Sequence, residues 1–171
     1  DDERGFAHYV EHMAFNGSTR VAEGEMIPLL ERAGLRRGIC AVLGRDGNLA
    51  VELTQAAEML VHVREPNAAQ VAELRKRADE AGFDIDRLSV EQGQLDKLPY
   101  ADNVVDVVIA SNVSSRLLEE LSAEEVLRSL RPEGTAIFGT TKRGNGSPVE
   151  IAKLVEWARK AKAADIKTWS D

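Results

Sequence analysis

Aromatic residues make up only 5% of this 171-residue chain, and Cys40 is its single cysteine. One cysteine excludes an internal disulfide and any multi-cysteine metal site. Few aromatics leave the core to Leu, Val, Ile and Ala, which suits α/β layers better than an all-β sandwich. An excess of positive charge is also lacking. The formal net charge is -7, which argues against a general nucleic-acid binder, whose basic surface must displace counterions from phosphates. No apolar run reaches membrane-spanning length and no cationic-then-apolar leader is seen. The expectation is therefore a soluble protein, cytoplasmic by default, with neither nucleic acid nor membrane as partner. An initiator Met is missing too. The chain starts Asp1-Asp2, as expected of a piece of a longer parent chain carrying other domains.

What is present, 43% hydrophobic and 30% charged residues, is the make-up of a globular domain long enough to bury a core. The cations near the end, Lys153, Arg159, Lys160, Lys162 and Lys167, read as positive charge at the negative end of a helix dipole. Cys40 lies in an apolar run, where a small buried hydrophobe is expected.

Two rhythms divide the chain. Residues 1–37 read as a helical segment. One helix runs near Phe6–Phe15 and stops at Asn16-Gly17-Ser18-Thr19. A second, about Glu23–Ala33, is capped by Gly34 and has Met26, Leu29, Leu30 and Ala33 on one face. From Gly38 short apolar runs alternate with amphipathic helices. Strands are expected near 39–43, 60–63, 88–91, 104–110 and 135–138. Helices are expected at Leu49–Ala57, Ala68–Ala81, Ala123–Leu130 and Val149–Ala163, with Arg131-Pro132-Glu133-Gly134 as a turn. This alternation implies βαβ units. The fold class is α/β: a Rossmann-like, mainly parallel sheet with helices on both faces, preceded by the two N-terminal helices. Runs nearly continuous in Val, Ile and Leu imply strands buried on both faces.

In such sheets ligands bind outside the carboxyl ends of the strands, where strand order reverses. The first strand end offers Gly44-Arg45-Asp46-Gly47, whose glycines let backbone approach a ligand and whose following helix offers free N–H groups. Glu65 comes after the second strand, placed to accept both hydroxyls of a ribose. Gln92-Gly93-Gln94-Leu95 follows the third, where an amide side chain can meet an adenine edge. Ser111 to Ser115, beyond the fourth, offer no evident general base or nucleophile.

The segments GICAVLGRDGNLAVEL, VHVREPNAAQVAELRKRADEAG, VEQGQLDKLPYADNVVDVVIAS and EVLRSLRPEGTAIFG resemble the successive motifs of class I, S-adenosylmethionine-dependent methyltransferases, over about Gly38 to Gly139. The chain is also similar to methyltransferase-like modules embedded in larger bacterial proteins with propeller repeats. The resemblance implies S-adenosylmethionine as cofactor, with Gly44, Asp46 and Gly47 in the cofactor loop, Glu65 at the ribose, and Gln94 and Leu95 at the adenine. It departs from the family in a contracted glycine loop, in Arg45 beside the expected sulfonium, and in Gln94 where an aspartate is usual. A non-catalytic Rossmann-like interaction module is the alternative these departures leave open.

At the other end, His8-Tyr9-Val10-Glu11-His12 is an H-x-x-E-H pattern. On a helix, His8 and His12 share one face within reach of one zinc ion, and Glu11 stands beside them to take a proton from metal-bound water. ERGFAHYVEHMAFNGSTR with GEMIPLLERAGL resembles the pitrilysin/insulinase metallopeptidases. That resemblance implies His8 and His12 as zinc ligands and Glu11 as general base. The family's third ligand, a glutamate on a later helix, has no counterpart before the resemblance stops near Gly38. Glu91 lies at a broadly similar distance but belongs to a strand-end motif, and is expected to stay with the sheet. Two histidines without a third protein ligand hold catalytic zinc poorly. The joint between the two resemblances, around Glu31–Gly38, gives the chain the character of a chimera: 1–37 metallopeptidase-like and 38–171 methyltransferase-like.

Overall fold

A computed structural model describes residues 36–44, 47–111, 113–139 and 149–168. The two N-terminal helices expected from the sequence, and with them His8, Glu11 and His12, fall outside the described residues, as does Asp46.

Five strands form one wholly parallel sheet in the order β3-β2-β1-β4-β5. They are β1 (Arg37–Leu43), β2 (Glu58–Glu65), β3 (Leu88–Gln92), β4 (Val105–Ala110) and β5 (Leu130–Phe138). The helices are α1 (Gly47–Ala56), α2 (Ala68–Glu80), α3 (Ser115–Glu120), α4 (Ala123–Ser129) and α5 (Ile151–Lys160). The first three strands run outward in one direction from β1, and the chain then returns to the other side of β1 for β4 and β5. Strand order therefore reverses between β1 and β4.

Each face of the sheet carries its own apolar cluster. Cys40 and Val42 of β1 meet Leu49 and Leu53 of α1 and Val71 and Leu74 of α2 on one side. Ala41 and Leu43 point the other way, toward Val126 of α4 and Leu154 and Ala158 of α5. This is the alternation of side chains along a strand, with apolar residues at both phases because both faces are covered. Asn67 caps α2 by accepting N–H bonds from Ala69 and Gln70 at 2.9 and 3.2 Å. Ser114 and Ser122 do the same for α3 and α4, as expected of such residues before a helix.

All five expected strands form, with three differences from the sequence reading. First, Arg131-Pro132-Glu133-Gly134 is not a turn ahead of β5 but lies within it. Between the pairs Val105↔Leu130 and Val107↔Thr135 the two strands fall out of register. Pro132 has no N–H to give a ladder, and Glu133 sits at φ 65. The turn chemistry is used, but as a wide bulge after which the chain rejoins the same strand. Second, α3 forms from Ser115–Glu120, too short to show a helical period, and α5 is shorter than the Val149–Ala163 expected. Third, β2 is buried on one face only. Met59, Val61 and Val63 are buried, while Leu60 is 43% exposed and His62 and Arg64 are half-buried. The link from β3 to β4 contains no helix, so nothing helical lies over that face from this segment.

Near the amino end of β1 one carboxylate takes the place of a backbone partner. The register of β1 with β4 begins at Cys40↔Val107. Before it, the N–H of Ile39 donates to Asp106 Oδ2 at 2.7 Å, and Asp106 Oδ1 pairs with Arg131 Nε. Gly38 lies under this contact at φ 127, and a Cβ there would overlap the Asp106 carboxylate. Strain of both kinds predicts that Gly38→Ala destabilises the domain by about 1–3 kcal/mol. Urea unfolding is the check, and an unchanged midpoint would contradict the clamp.

Candidate functional site

The carboxyl ends of the strands finish flush because backbone bonds continue past the ladder. Gly44 N–H donates to Arg64 O at 2.9 Å, Gly93 N–H to Glu65 O at 3.1 Å, and Gly139 N–H to Ala110 O at 2.9 Å. This brings Gly44, Glu65, Gly93 and Ser111 to one edge of the sheet, on both sides of the point where strand order reverses.

Glu65 is the most informative of them. It follows Val61 and Val63 on the α1–α2 face and is only 3% exposed. Its Oε1 accepts the N–H of Asn67 at 2.8 Å, which shapes the turn into α2. Its Oε2 is buried with no hydrogen-bond partner. Leaving a buried acceptor unmatched costs about 1–3 kcal/mol, so such groups call for an explanation. Gly44 adopts φ 86, a conformation natural to glycine. A Cβ there would meet Leu117 only at ordinary contact distance, so it is the backbone angle that favours glycine.

The other expected site residues are placed less simply. A Cβ on Gly47 would run into the Leu74 side chain, so this glycine lets α1 approach α2 at the start of its first turn. Gln94 is exposed. Leu95 is 1% exposed and packs in the core on the α4–α5 side, so its backbone, not its side chain, is what it can offer a ligand.

The sequence reading gave no part to Arg64 or Arg128, yet these two hold the loop that contains Gln94 and Leu95. Arg64 Nη1 pairs with Glu91 at 2.8 Å and its Nε lies 3.4 Å from Gln94 O, while a Cβ on Gly93 would overlap its guanidinium. At the far end, Arg128 grips Glu125 through Nε and Nη2 at 2.8 and 2.9 Å. It also donates to Tyr100 O and Asp102 Oδ1 at 2.8 and 2.7 Å. Hydrogen bonding to Arg128 is the main cause holding the Glu125 carboxyl down at about 2.

His62 lies in β2 between these anchors, its Nδ1 2.6 Å from Tyr100 Oη and its Nε2 3.4 Å from Glu91. Burial is the leading cause lowering its pKa, and burial likewise raises that of Tyr100. A neutral imidazole whose Nδ1 accepts a hydrogen bond from the Tyr100 hydroxyl agrees with both directions. Glu91 stays with the sheet as expected, in β3, engaged by Arg64 and His62. Burial pushes the Cys40 thiol up to about 12, leaving it an inert core residue. Among the described residues no cluster of three or more His, Cys, Asp or Glu is placed to hold a metal ion, and no helix is long and apolar enough to cross a membrane.

A parallel sheet reversing beside a glycine turn, with an acidic residue at the neighbouring strand end, defines a Rossmann-like domain of the methyltransferase type. Residues 44–134 match the methyltransferase domain family, more than half of the chain, and the chain belongs to that family. Solved structures agree on the fold. A SAM-dependent methyltransferase from Aquifex aeolicus is 19% identical with a TM-score of 0.61, over 78% of this chain and 77% of that one. A SAM-dependent methyltransferase from Geobacter sulfurreducens in complex with S-adenosyl-L-homocysteine is 19% identical at a TM-score of 0.54, over 70% and 49%. The [4+2]-cyclase SpnF is 20% identical at a TM-score of 0.62, over 89% and 62%. The chain thus spans about half of some of the chains it resembles.

Residues 1–42 match a second family, insulinase (peptidase family M16), a match that runs into β1. Over 36 residues the chain is 53% identical to the Probable zinc protease PqqL of Haemophilus influenzae, covering 21% of this chain and 4% of that protein.

If Arg64 braces the loop after β3, Arg64→Ala should speed amide exchange at Gly93 and Leu95 about tenfold, the equivalent of one lost hydrogen bond. Amides of Val42 and Val108, in the sheet centre, should keep their protection. Uniform loss throughout the sheet, or none at Gly93, would contradict a local brace.

Proposed function

We propose that residues 38–171 are the S-adenosylmethionine-binding domain of a methyltransferase. The observation that carries this reading is Glu65 Oε2, a buried acceptor with no partner at the end of β2. A vicinal diol supplies two donors to one carboxylate, which is the chemistry this atom calls for. Gly44, Asp46 and Gly47 then form the turn beneath the cofactor, and the first free N–H groups of α1 face it. Gln94 and the backbone of Leu95 meet the adenine, on a loop steadied by Arg64 and Arg128. When bound, the cofactor supplies a methyl group on a positively charged sulfur. The protein's part is to hold ribose and adenine so that this methyl is presented at the reversal between β1 and β4.

The cyclase among the similar structures bears out that such a fold hosts more than one chemistry, so the function rests on the site. The partner proposed is a small-molecule cofactor, with other domains of a longer parent chain beside it. No zinc chemistry is assigned to His8, Glu11 and His12. The likeness to the protease spans 4% of that protein, whereas the methyltransferase match spans most of the described domain.

Calorimetric titration with S-adenosylhomocysteine tests this directly. The wild-type chain should bind, and Glu65→Gln should weaken binding by about 1.5–3 kcal/mol, the worth of a hydrogen bond to a charged group. Glutamine keeps an acceptor for Asn67 N–H, so the turn into α2 survives the substitution. No heat at millimolar ligand, or an unchanged affinity in the variant, would overturn the reading.

A further inference from the structure

His62 is the only histidine among the described residues, and the cofactor reading gives it no role. It shares a row of β2 with Leu60 and Arg64, on the face that the helix-free β3–β4 link leaves without a helix of its own. Its side chain is 15% exposed, so a proton from water can reach a ring that is otherwise held on both sides. Nδ1 lies 2.6 Å from Tyr100 Oη, and Nε2 lies 3.4 Å from Glu91 Oε2. A neutral ring with its proton on Nε2 suits both neighbours, accepting from the hydroxyl and turning an N–H toward the carboxylate. Arg64 is the remaining charge that acts on it. Ala41 of β1 and Ser89 of β3 stand opposite it in register, and Cys40 belongs to the cluster on the other face of the sheet.

Tyr100 closes the segment that begins at Gly93 and carries Gln94 and Leu95. Gly93 N–H donates to Glu65 O, and Arg64 Nε lies 3.4 Å from Gln94 O. Leu98 N–H donates to Glu125 Oε2 at 2.9 Å, and Arg128 donates to Leu98 O and Tyr100 O. To these anchors the Tyr100 hydroxyl adds one made with a histidine, whose ordinary charge change falls between pH 5 and 8. Protonation would put a donor where Nδ1 now accepts, so two donors would meet and the bond must be given up or reversed. The new charge also draws on Glu91 Oε2, the same oxygen that Arg64 holds at 2.8 Å. One proton therefore acts on both ends of the segment. Burial is the leading influence on His62 and lowers its pKa from the ordinary 6.5, with Glu91 opposing and Arg64 assisting. What the neutral ring contributes is thus complete above about pH 6.5 and lost as pH falls from there toward the folded value.

We propose that His62 is a positioning residue that makes cofactor binding sensitive to pH, holding the adenine-facing loop through Tyr100 while neutral and releasing it when protonated. This rests on the cofactor reading, in which Gln94 and the backbone of Leu95 meet the adenine.

The test is the affinity for S-adenosylhomocysteine at about pH 7.5 and about pH 5.5, in the wild type and in His62→Asn. Asparagine offers Tyr100 an acceptor and does not titrate. Wild-type binding should weaken about three- to tenfold at the lower pH, the upper figure being the most that an ordinary histidine allows one unit below its pKa. His62→Asn should show one affinity at both, which also controls for titration of the ligand and of other side chains. A measurement on the wild type alone guards against a variant that fails to fold. The His62 ring resonance, identified by its contact with the Tyr100 ring, should titrate below the ordinary histidine value and lower still with S-adenosylhomocysteine bound. Equal wild-type affinities at the two pH values, a variant that weakens as much as the wild type, or a His62 midpoint that the ligand does not move would overturn this inference while leaving the cofactor reading standing. Failure of the wild type to bind at the higher pH would overturn the cofactor reading and this inference with it.

Discussion

Cys40, Ala41, Val42 and Leu43 are between 0 and 2% exposed, so β1 has apolar core on both faces and hydrogen-bonded strands on both edges. A strand in that position permits no polar side chain and no slip in register, because a shift of one residue would exchange the two faces. The other elements are arranged about it. β2 and β4 are its two neighbours, α1 begins where it ends, and strand order reverses across it. In sheets of this kind the connections leaving two such strands diverge to opposite faces, and ligands bind at the carboxyl end between them.

The polar groups at that edge behave unlike those elsewhere. Elsewhere several carboxylates are matched: Asp106 with Ile39 N–H and Arg131, Glu125 with Arg128, Glu91 with Arg64. At the edge, Glu65 and Ser111 each keep one buried atom unmatched. A fold selected for stability alone would match these atoms or replace them with apolar ones, which costs less than an orphan. Both lie on the same face of the sheet, on either side of β1, which suits the proposed cofactor-binding edge. The arginines are the support for it. Arg64 and Arg128 hold the β3–β4 link at its two ends, so a segment with no helix of its own is still given a defined position.

The legible parts of the sequence were those with strong local signals. Val104–Ala110 and Ile39–Leu43 announce strands because buried parallel strands need apolar side chains at both phases. Glu65 was legible because a carboxylate immediately after such a strand has few structural uses. Arg131–Gly134 misled because a bulge and a turn use the same residues, and only the partner strand decides whether the chain departs or rejoins. Ser111 was read only as part of a stretch after β4 with no evident general base or nucleophile. Its burial depends on how β1, β4 and the chain near Gly139 close around it, contacts far apart in sequence. The roles of Gly47 and Leu95 were likewise set by packing across layers, which spacing along the chain does not report.

The central claim is that the carboxylate of Glu65 holds the diol of a nucleoside. The most direct measurement leaves the protein unaltered and changes the ligand, comparing the affinity of the wild-type chain for S-adenosylhomocysteine with that for its 2′,3′-dideoxy analogue. The account predicts at least about tenfold weaker binding of the analogue, because Oε2 would again be buried without a donor. Equal affinities would contradict it.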